Sequence, residues 1–244
     1  MLNNFIKSAA VGALLFAVPS AHAAVTVVVG PGANQSSATF VPAMAGSNTA
    51  LFNFNGFGSN GSISGLAAQL SLTLTGVVGN SYQFSYSLAN TSGGPIDASR
   101  LTIFGFNANP NFSSVSGLSG PFNVVALNGQ QPNGLTNLEV CFKDSGNTNN
   151  CTGASQGVDQ GSSVNGTFNL NFASEQQQLV LSDFSVRYQG IESTTLGIRD
   201  GSANGTPFGL VPEPATWAMM ILGFGLIGGA LRSRKVQAAR VTYA

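Results

Sequence analysis

Four stretches of the chain alternate apolar and polar residues with a period of two. Leu70, Leu72 and Leu74 alternate with Ser and Thr, and Tyr82, Phe84, Tyr86 and Leu88 alternate with Gln and Ser. Phe168, Leu170 and Phe172 alternate with Asn, and Phe184, Val186 and Tyr188 with Ser and Arg. Successive side chains of a strand point to opposite faces, so each apolar set lines one buried face and its polar set meets water. Turn chemistry separates such runs at Gly79-Asn80, Ser92-Gly93-Gly94-Pro95, Asn133-Gly134 and Asn165-Gly166. No helical periodicity appears between residues 24 and 211. Many short half-buried strands with turns between them predict an all-β domain, an antiparallel β-sandwich of jelly-roll type. "VTVVVG" from Val25 is a candidate first strand, and "PGANQSS" from Pro31 reads as a loop. "RDGSANGTPFGL", Arg199 to Leu210, also reads as a loop, a tether between the domain and the C-terminal segment.

Two segments depart from the alternation. Met1 to Ala23 places one cation, Lys7, before an apolar run from Ala9 to Val18 that Pro19 breaks, and Ala21-His22-Ala23 gives a small-x-small cleavage pattern. A run of about ten apolar residues is too short to span a bilayer. Residues 1–23 therefore read as a signal peptide, with Ala21 and Ala23 at the cleavage site and the mature chain starting near Ala24 outside the cytoplasm. The second segment is "VPEPATWAMMILGFGLIGGALRSRK", Val211 to Lys235. Its uncharged stretch, Ala215 to Leu231, is seventeen residues. As a helix that stretch measures about 25 Å, a little less than a hydrocarbon core of about 30 Å. Trp217 suits one interface and Arg232 can snorkel to the other, while Arg232, Arg234 and Lys235 hold the C-terminus in the cytoplasm. Pro212 and Pro214 cannot continue a helix and keep Pro212-Glu213-Pro214 extended just outside the membrane. Anchoring needs only the apolar block and the charges, so the tripeptide argues for a processing step. The expected organisation is a signal peptide (1–23), a β-sandwich (24–198), a tether (199–211), a sorting signal (212–235) containing a transmembrane helix (215–231), and a cytoplasmic tail (236–244).

Charge narrows the function classes. Between Ala24 and Val211 stand eight acids and only four bases, Arg100, Lys143, Arg187 and Arg199, for a net charge of −4. So few bases cannot track a phosphate backbone, which argues against nucleic-acid binding. The single histidine, His22, lies in the signal peptide. That removes Ser-His-Asp and Cys-His catalysis and His-ligated zinc from the mature chain. Carboxylate pairs of the glycosidase kind remain conceivable, but the sequence selects none of them. The expectation is a non-enzyme without cofactor or metal. Asp183 and Arg187 fall on one strand face and read as a surface ion pair of small worth.

Cys141 and Cys151 are the only cysteines, and "CFKDSGNTNNC" encloses nine mostly turn-forming residues. In an oxidising compartment this spacing suggests a disulfide closing a surface loop, worth about 2–3 kcal/mol on the chain-entropy account. A redox pair or a soft-metal site is the alternative, and neither has a CxxC spacing or a histidine behind it. Asp144, Asn147 and Asn149 offer oxygen ligands to a calcium ion, but the stretch departs from the calcium-loop pattern and reads as a solvated loop.

Pro212-Glu213-Pro214, Thr216 to Met220 ("TWAMM"), the glycine-rich apolar run and Arg232-Ser233-Arg234-Lys235 together resemble the PEP-CTERM sorting signal, in its PEPxxWA variety from alphaproteobacteria. The resemblance covers about 25 residues. It implies a membrane-embedded cysteine transpeptidase-like enzyme, exosortase, as a partner that recognises and removes the tail. It also implies transient residence in the inner membrane of a Gram-negative bacterium, and association with exopolysaccharide and biofilm at the cell surface or in the matrix. "RLTIFGF" (Arg100 to Phe106), Glu139 to Phe142 leading to Cys151, and "FSVRYQ" (Phe184 to Gln189) resemble a two-cysteine group of such proteins, the cistern family. The expected function is an exported, non-enzymatic surface or matrix protein. The alternatives are a carbohydrate-binding module with Tyr82, Tyr86 or Tyr188 stacked on sugar rings, and a permanently tail-anchored periplasmic protein.

Overall fold

The computed structural model describes residues 25–29, 36–42, 48–132, 135, 137–152, 155–208 and 224. The proposed signal peptide and, apart from Phe224, the sorting signal, with Ala21, Ala23, Pro212, Glu213, Pro214, Trp217, Arg232, Arg234 and Lys235, lie outside these residues, as does the expected Asn133-Gly134 turn. Among the described residues no helix is long and apolar enough to cross a membrane.

Among the described residues fifteen strands form two antiparallel sheets. The smaller sheet comprises β3 (Asn48–Phe54), β6 (Ala68–Val78), β7 (Ser81–Asn90), β9 (Ser114–Ser119) and β13 (Ser163–Asn171), in the order β3-β6-β7-β13-β9. The larger is built on β8 (Ala98–Asn109) and β14 (Leu179–Ser193) at its centre. β11 (Leu138–Lys143) and β10 (Val124–Gly129) extend it on one side. On the other side come β15 (Ile198–Gly205), β4 (Phe57–Gly58) and β5 (Gly61–Ser62). β2 (Ser36–Phe40) pairs with the first half of β14 and carries β1 (Thr26–Val29) at its edge, and the short β12 (Val158–Asp159) pairs with β8.

The alternation read from the sequence sets which face is buried. Along β7 burial alternates strictly, with Tyr82, Phe84, Tyr86 and Leu88 inside. Leu70, Leu72 and Leu74, Phe168, Leu170 and Phe172, and Phe184, Val186 and Tyr188 are likewise buried. The two inward faces meet in a sandwich-like core through aromatic rings. Phe142 of the larger sheet lies 4.4 Å from Phe168 of the smaller, centroid to centroid, and Phe184 stacks on Phe52 at 4.1 Å. Phe40 meets Phe84 edge-on at 5.2 Å and Phe104 meets Tyr86 at 4.9 Å. Such pairs add about 0.5–1.5 kcal/mol each to the stabilisation from burial alone.

Buried polar groups at the sheet junction are matched. Asn90, at the end of β7, donates to the carbonyls of Ser99 (3.1 Å) and Val158 (3.1 Å), and its Oδ1 accepts from the Ser92 amide (3.2 Å). One side chain thus ties the smaller sheet to β8 and β12 of the larger.

Three sequence expectations are corrected. Asn165-Gly166 is not a turn but part of β13, and the turn falls earlier, where the Ser162 amide donates to the Asp159 carbonyl (3.0 Å) and Gly161 takes φ +77°. Gly166 serves Tyr86 on the adjacent strand: a Cβ there would stand 2.3 Å from the tyrosine hydroxyl. Residues 199–205, read as part of the tether, belong to β15 and pair with β14. They lack bulky alternation because β15 is closely packed, and a Cβ on Gly205 would meet the Val186 Cγ2 at 2.7 Å and the Tyr188 ring at 3.0 Å. Asp183 and Arg187 do not pair, because β14 changes register between Ser182 and Ser185. Asp183 accepts from Asn107 Nδ2 (2.9 Å), while Arg187 Nη1 donates to Asn204 Oδ1 (3.2 Å). Burial pushes the Arg187 guanidinium down from its ordinary range.

Phe168 is fully buried and touches four other rings. Phe168→Ala should therefore cost about 3–5 kcal/mol in urea denaturation.

Candidate functional site

The link to the C-terminal segment is far shorter than the sequence suggests. Beyond β15 the chain crosses to the edge of the smaller sheet. The Asn55 amide donates to the Thr206 carbonyl (3.3 Å), Phe54 and Pro207 form an isolated bridge, and the Phe208 amide donates to the Asn53 carbonyl (3.0 Å). Asn204 and Thr206 are buried, and Asn204 Nδ2 donates to the Pro132 carbonyl (2.7 Å). The chain is thus fixed to both sheets as far as Phe208. Only residues 209–211 separate that point from Pro212. Fully extended, that link spans at most about 14 Å between the Cα atoms of Phe208 and Pro212.

The second feature is the loop closed by a disulfide between Cys141 and Cys151, whose Cα atoms stand 5.9 Å apart. Cys141 sits on β11 with its side chain on the outer face of the larger sheet. There Cys141 and Cys151 join Ile103, Ala126 and Leu138 in a small apolar cluster of their own. The loop lies back over β10, where a Cβ on Gly129 would come within 2.3 Å of Cys151 Sγ.

The loop folds around a cation that the chain itself supplies. Lys143 is fully buried, and its ammonium donates to the carbonyls of Asn147 (2.8 Å), Asn150 (3.2 Å) and Thr152 (2.6 Å). Three convergent carbonyls are the donor set a bound metal ion would use, and here Lys143 Nζ occupies their focus. Desolvation pushes the Lys143 amine below its ordinary range, and the neighbouring Asp144 carboxylate partly offsets this. Of the residues considered as calcium ligands, Asn147 gives its carbonyl to Lys143 and its Oδ1 to the Asn149 amide (3.2 Å). Asp144 Oδ2 accepts from Ser145 Oγ (3.2 Å). Among the described residues no group of three or more His, Cys, Asp or Glu could hold a metal ion. The sequence contained the lysine, but nothing in its spacing announced an internal ligand for the loop.

Charged groups collect at one end of the larger sheet. Asp97, Glu192, Arg199 and Asp200 line a cleft of about 470 Å³, and Arg100 and Asp159 adjoin it. Asp97 is an organiser of the β14–β15 turn. Its Oδ2 accepts from the Thr194 amide (2.7 Å) and hydroxyl (2.8 Å), which hold the carboxyl below its ordinary range. On the outer face, burial pushes Glu139 up, against hydrogen bonds from backbone amides including that of Ala108 (2.9 Å). The tyrosines considered as sugar platforms are not available for stacking: Tyr82, Tyr86 and Tyr188 are at most 3 % exposed. They are core residues, and burial raises the pKa of Tyr188 far above the phenol range.

An all-β body is thus clamped as far as Phe208, and an apolar segment led by Pro212 and Pro214 follows shortly after. Residues 210–235 match the family model of the PEP-CTERM protein-sorting motif, and the chain carries that motif. It implies export and exosortase-dependent sorting to the cell surface. Neither the curated proteins nor the solved structures contain a match to the chain.

Lys143→Met should leave three converging, partly buried carbonyls without their shared donor and cost about 1–3 kcal/mol. Lys143→Arg should not restore the loss, since a planar fork does not fit three converging acceptors. Thermal melting of both variants, with the disulfide verified by mass spectrometry of unreduced peptides, checks this. For Asp97 the folded pKa lies below the unfolded one. Its contribution is therefore present above the unfolded carboxylate range and lost as pH falls through the folded value. Asp97→Asn should lower the melting temperature at neutral pH and flatten its decline between about pH 5 and pH 2.

Proposed function

We propose that this chain is an exported, non-enzymatic surface protein. It is held briefly in the inner membrane of a Gram-negative cell by a transmembrane helix spanning 215–231, cut by exosortase near Pro212-Glu213-Pro214, and delivered to an exopolysaccharide-containing matrix. The observation that carries the reading is the sorting motif at 210–235, set close beyond the last clamped position, Phe208. A basic cluster at Arg232, Arg234 and Lys235 resists translocation, and the prolines keep the adjacent backbone extended for an enzyme at the membrane surface. The absence of histidine from residues 24–211 and the use of Asp97 and Lys143 as structural groups support a non-catalytic body.

Glu213→Ala should leave full-length protein in the inner membrane while the body keeps the wild-type melting temperature. Intact-mass measurement of surface material from cells that carry an exosortase should give a wild-type C-terminus upstream of Trp217. Wild-type surface protein that retains Trp217 and the tail would instead identify a permanently tail-anchored protein.

A further inference from the structure

We propose that the outward face of the five-stranded sheet binds an uncharged, polyhydroxylated polymer, a neutral polysaccharide chain. This deepens the matrix reading above by assigning it a surface. The observation behind it is a segregation of charge. No Asp, Glu, Lys or Arg occurs on β3, β6, β7, β9 or β13. Nine of the twelve charged residues between 24 and 211 stand on strands of the other sheet, and Asp97, Asp144 and Glu175 lie in loops. An exposed sheet face ordinarily carries mixed charges for solubility. Here one face has them and its counterpart has none.

In their place run hydroxyl and amide groups in register. Thr49, Thr73, Ser85, Thr167 and Ser119 form one row across all five strands. The ends of the row are fixed by side-chain hydrogen bonds, Thr49 to Thr73 at 2.7 Å and Ser119 to Thr167 at 2.8 Å. Between them a trough of about 490 Å³ runs beside Ser71, Ser85, Ser87 and Asn165. Among the described residues the side chains of these four have no hydrogen-bond partner. A hydroxyl both donates and accepts, so a lattice of them at the strand spacing of about 4.8 Å matches a ligand that presents hydroxyls repeatedly. Nothing on the face favours an anionic polymer, and an ion brought against it would lose water without gaining a counter-charge. With the tyrosines buried, each contact is weak, and retention comes from many repeats of one chain.

The test is binding of the purified protein to cross-linked dextran and amylose resin, with alginate beads as the anionic probe. Wild type should be retained by at least one neutral resin, to the same extent at low and high salt, because no charge pair is available for screening. Ser85→Lys should weaken retention about tenfold or more, a loss of about 1.4 kcal/mol. The milder Ser71→Ala/Ser87→Ala double variant, which keeps every strand, should weaken it measurably at an unchanged melting temperature. Glu213→Ala should leave retention intact, so a failure of processing and a failure of binding are separable. The proposal is overturned by no retention on either neutral resin, by retention that falls with salt or occurs only on alginate, or by a Ser85→Lys protein that melts and binds like wild type. Self-association abolished by Ser85→Lys, without retention on any resin, would make the face a contact between copies and overturn it equally.

Discussion

Phe142 against Phe168, and Phe184 against Phe52, hold the two sheets face to face. The rest of the structure depends on this layer of rings. Large apolar side chains must arrive at one face of β6, β7, β13 and the second half of β14, which imposes the period of two there. The outer face of the smaller sheet, which carries no charge, is then filled mostly by Ser, Thr, Asn and Gln. The rings also set where glycine is required: Gly166 lies across Tyr86, and Gly205 lies across Tyr188. Core, turn placement and glycine positions are one constraint seen at three scales.

The groups that first suggest chemistry are used for architecture. Lys143 holds the disulfide loop, Asp97 a turn, and Asn90 the seam between the sheets. Lys143 and Asn90 are buried and bonded mainly to backbone carbonyls, while the exposed Asp97 is held at one oxygen by the Thr194 amide and hydroxyl, and such bonds add to the stability of the fold. The focus of the loop's carbonyls is filled by a cation that is covalently part of the chain and cannot diffuse away.

Much of this was legible in the sequence where side chains are large. The four alternating runs, the Gly79-Asn80 turn and the strand beginning "VTVVV" follow from the sizes of residues at alternate positions. So does the disulfide, from two cysteines with nothing else to bind. The hidden parts obey an opposite logic. β15 is rich in glycine and small polar residues, because Tyr188 and Val186 fill the space its side chains would take, and such a strand carries no apolar signal. The register change in β14 separates Asp183 from Arg187 although their spacing suggests a shared face. The alternation that puts Tyr82, Tyr86 and Tyr188 in the apolar sets already favours a core place for them over a stacking platform, and the second sheet packed over that face bears it out. The segregation of charge between sheets needs the strand order, which joins segments as distant as Thr49 and Thr167 in one row.

The clamp at residues 206–208 also determines how the body takes mechanical load. A pull on the C-terminal segment, whether from a membrane or from an attachment made later, reaches the fold first at Phe208 and its hydrogen bond to Asn53. From there it divides. One part enters the edge of the smaller sheet, and the other runs along β15 into β14, the central strand of the larger. Phe208 is therefore a point at which a pull meets contacts to both layers, Asn53 in the smaller and, through β15, β14 in the larger. In that sense the end of the chain works less as a leash than as a rivet.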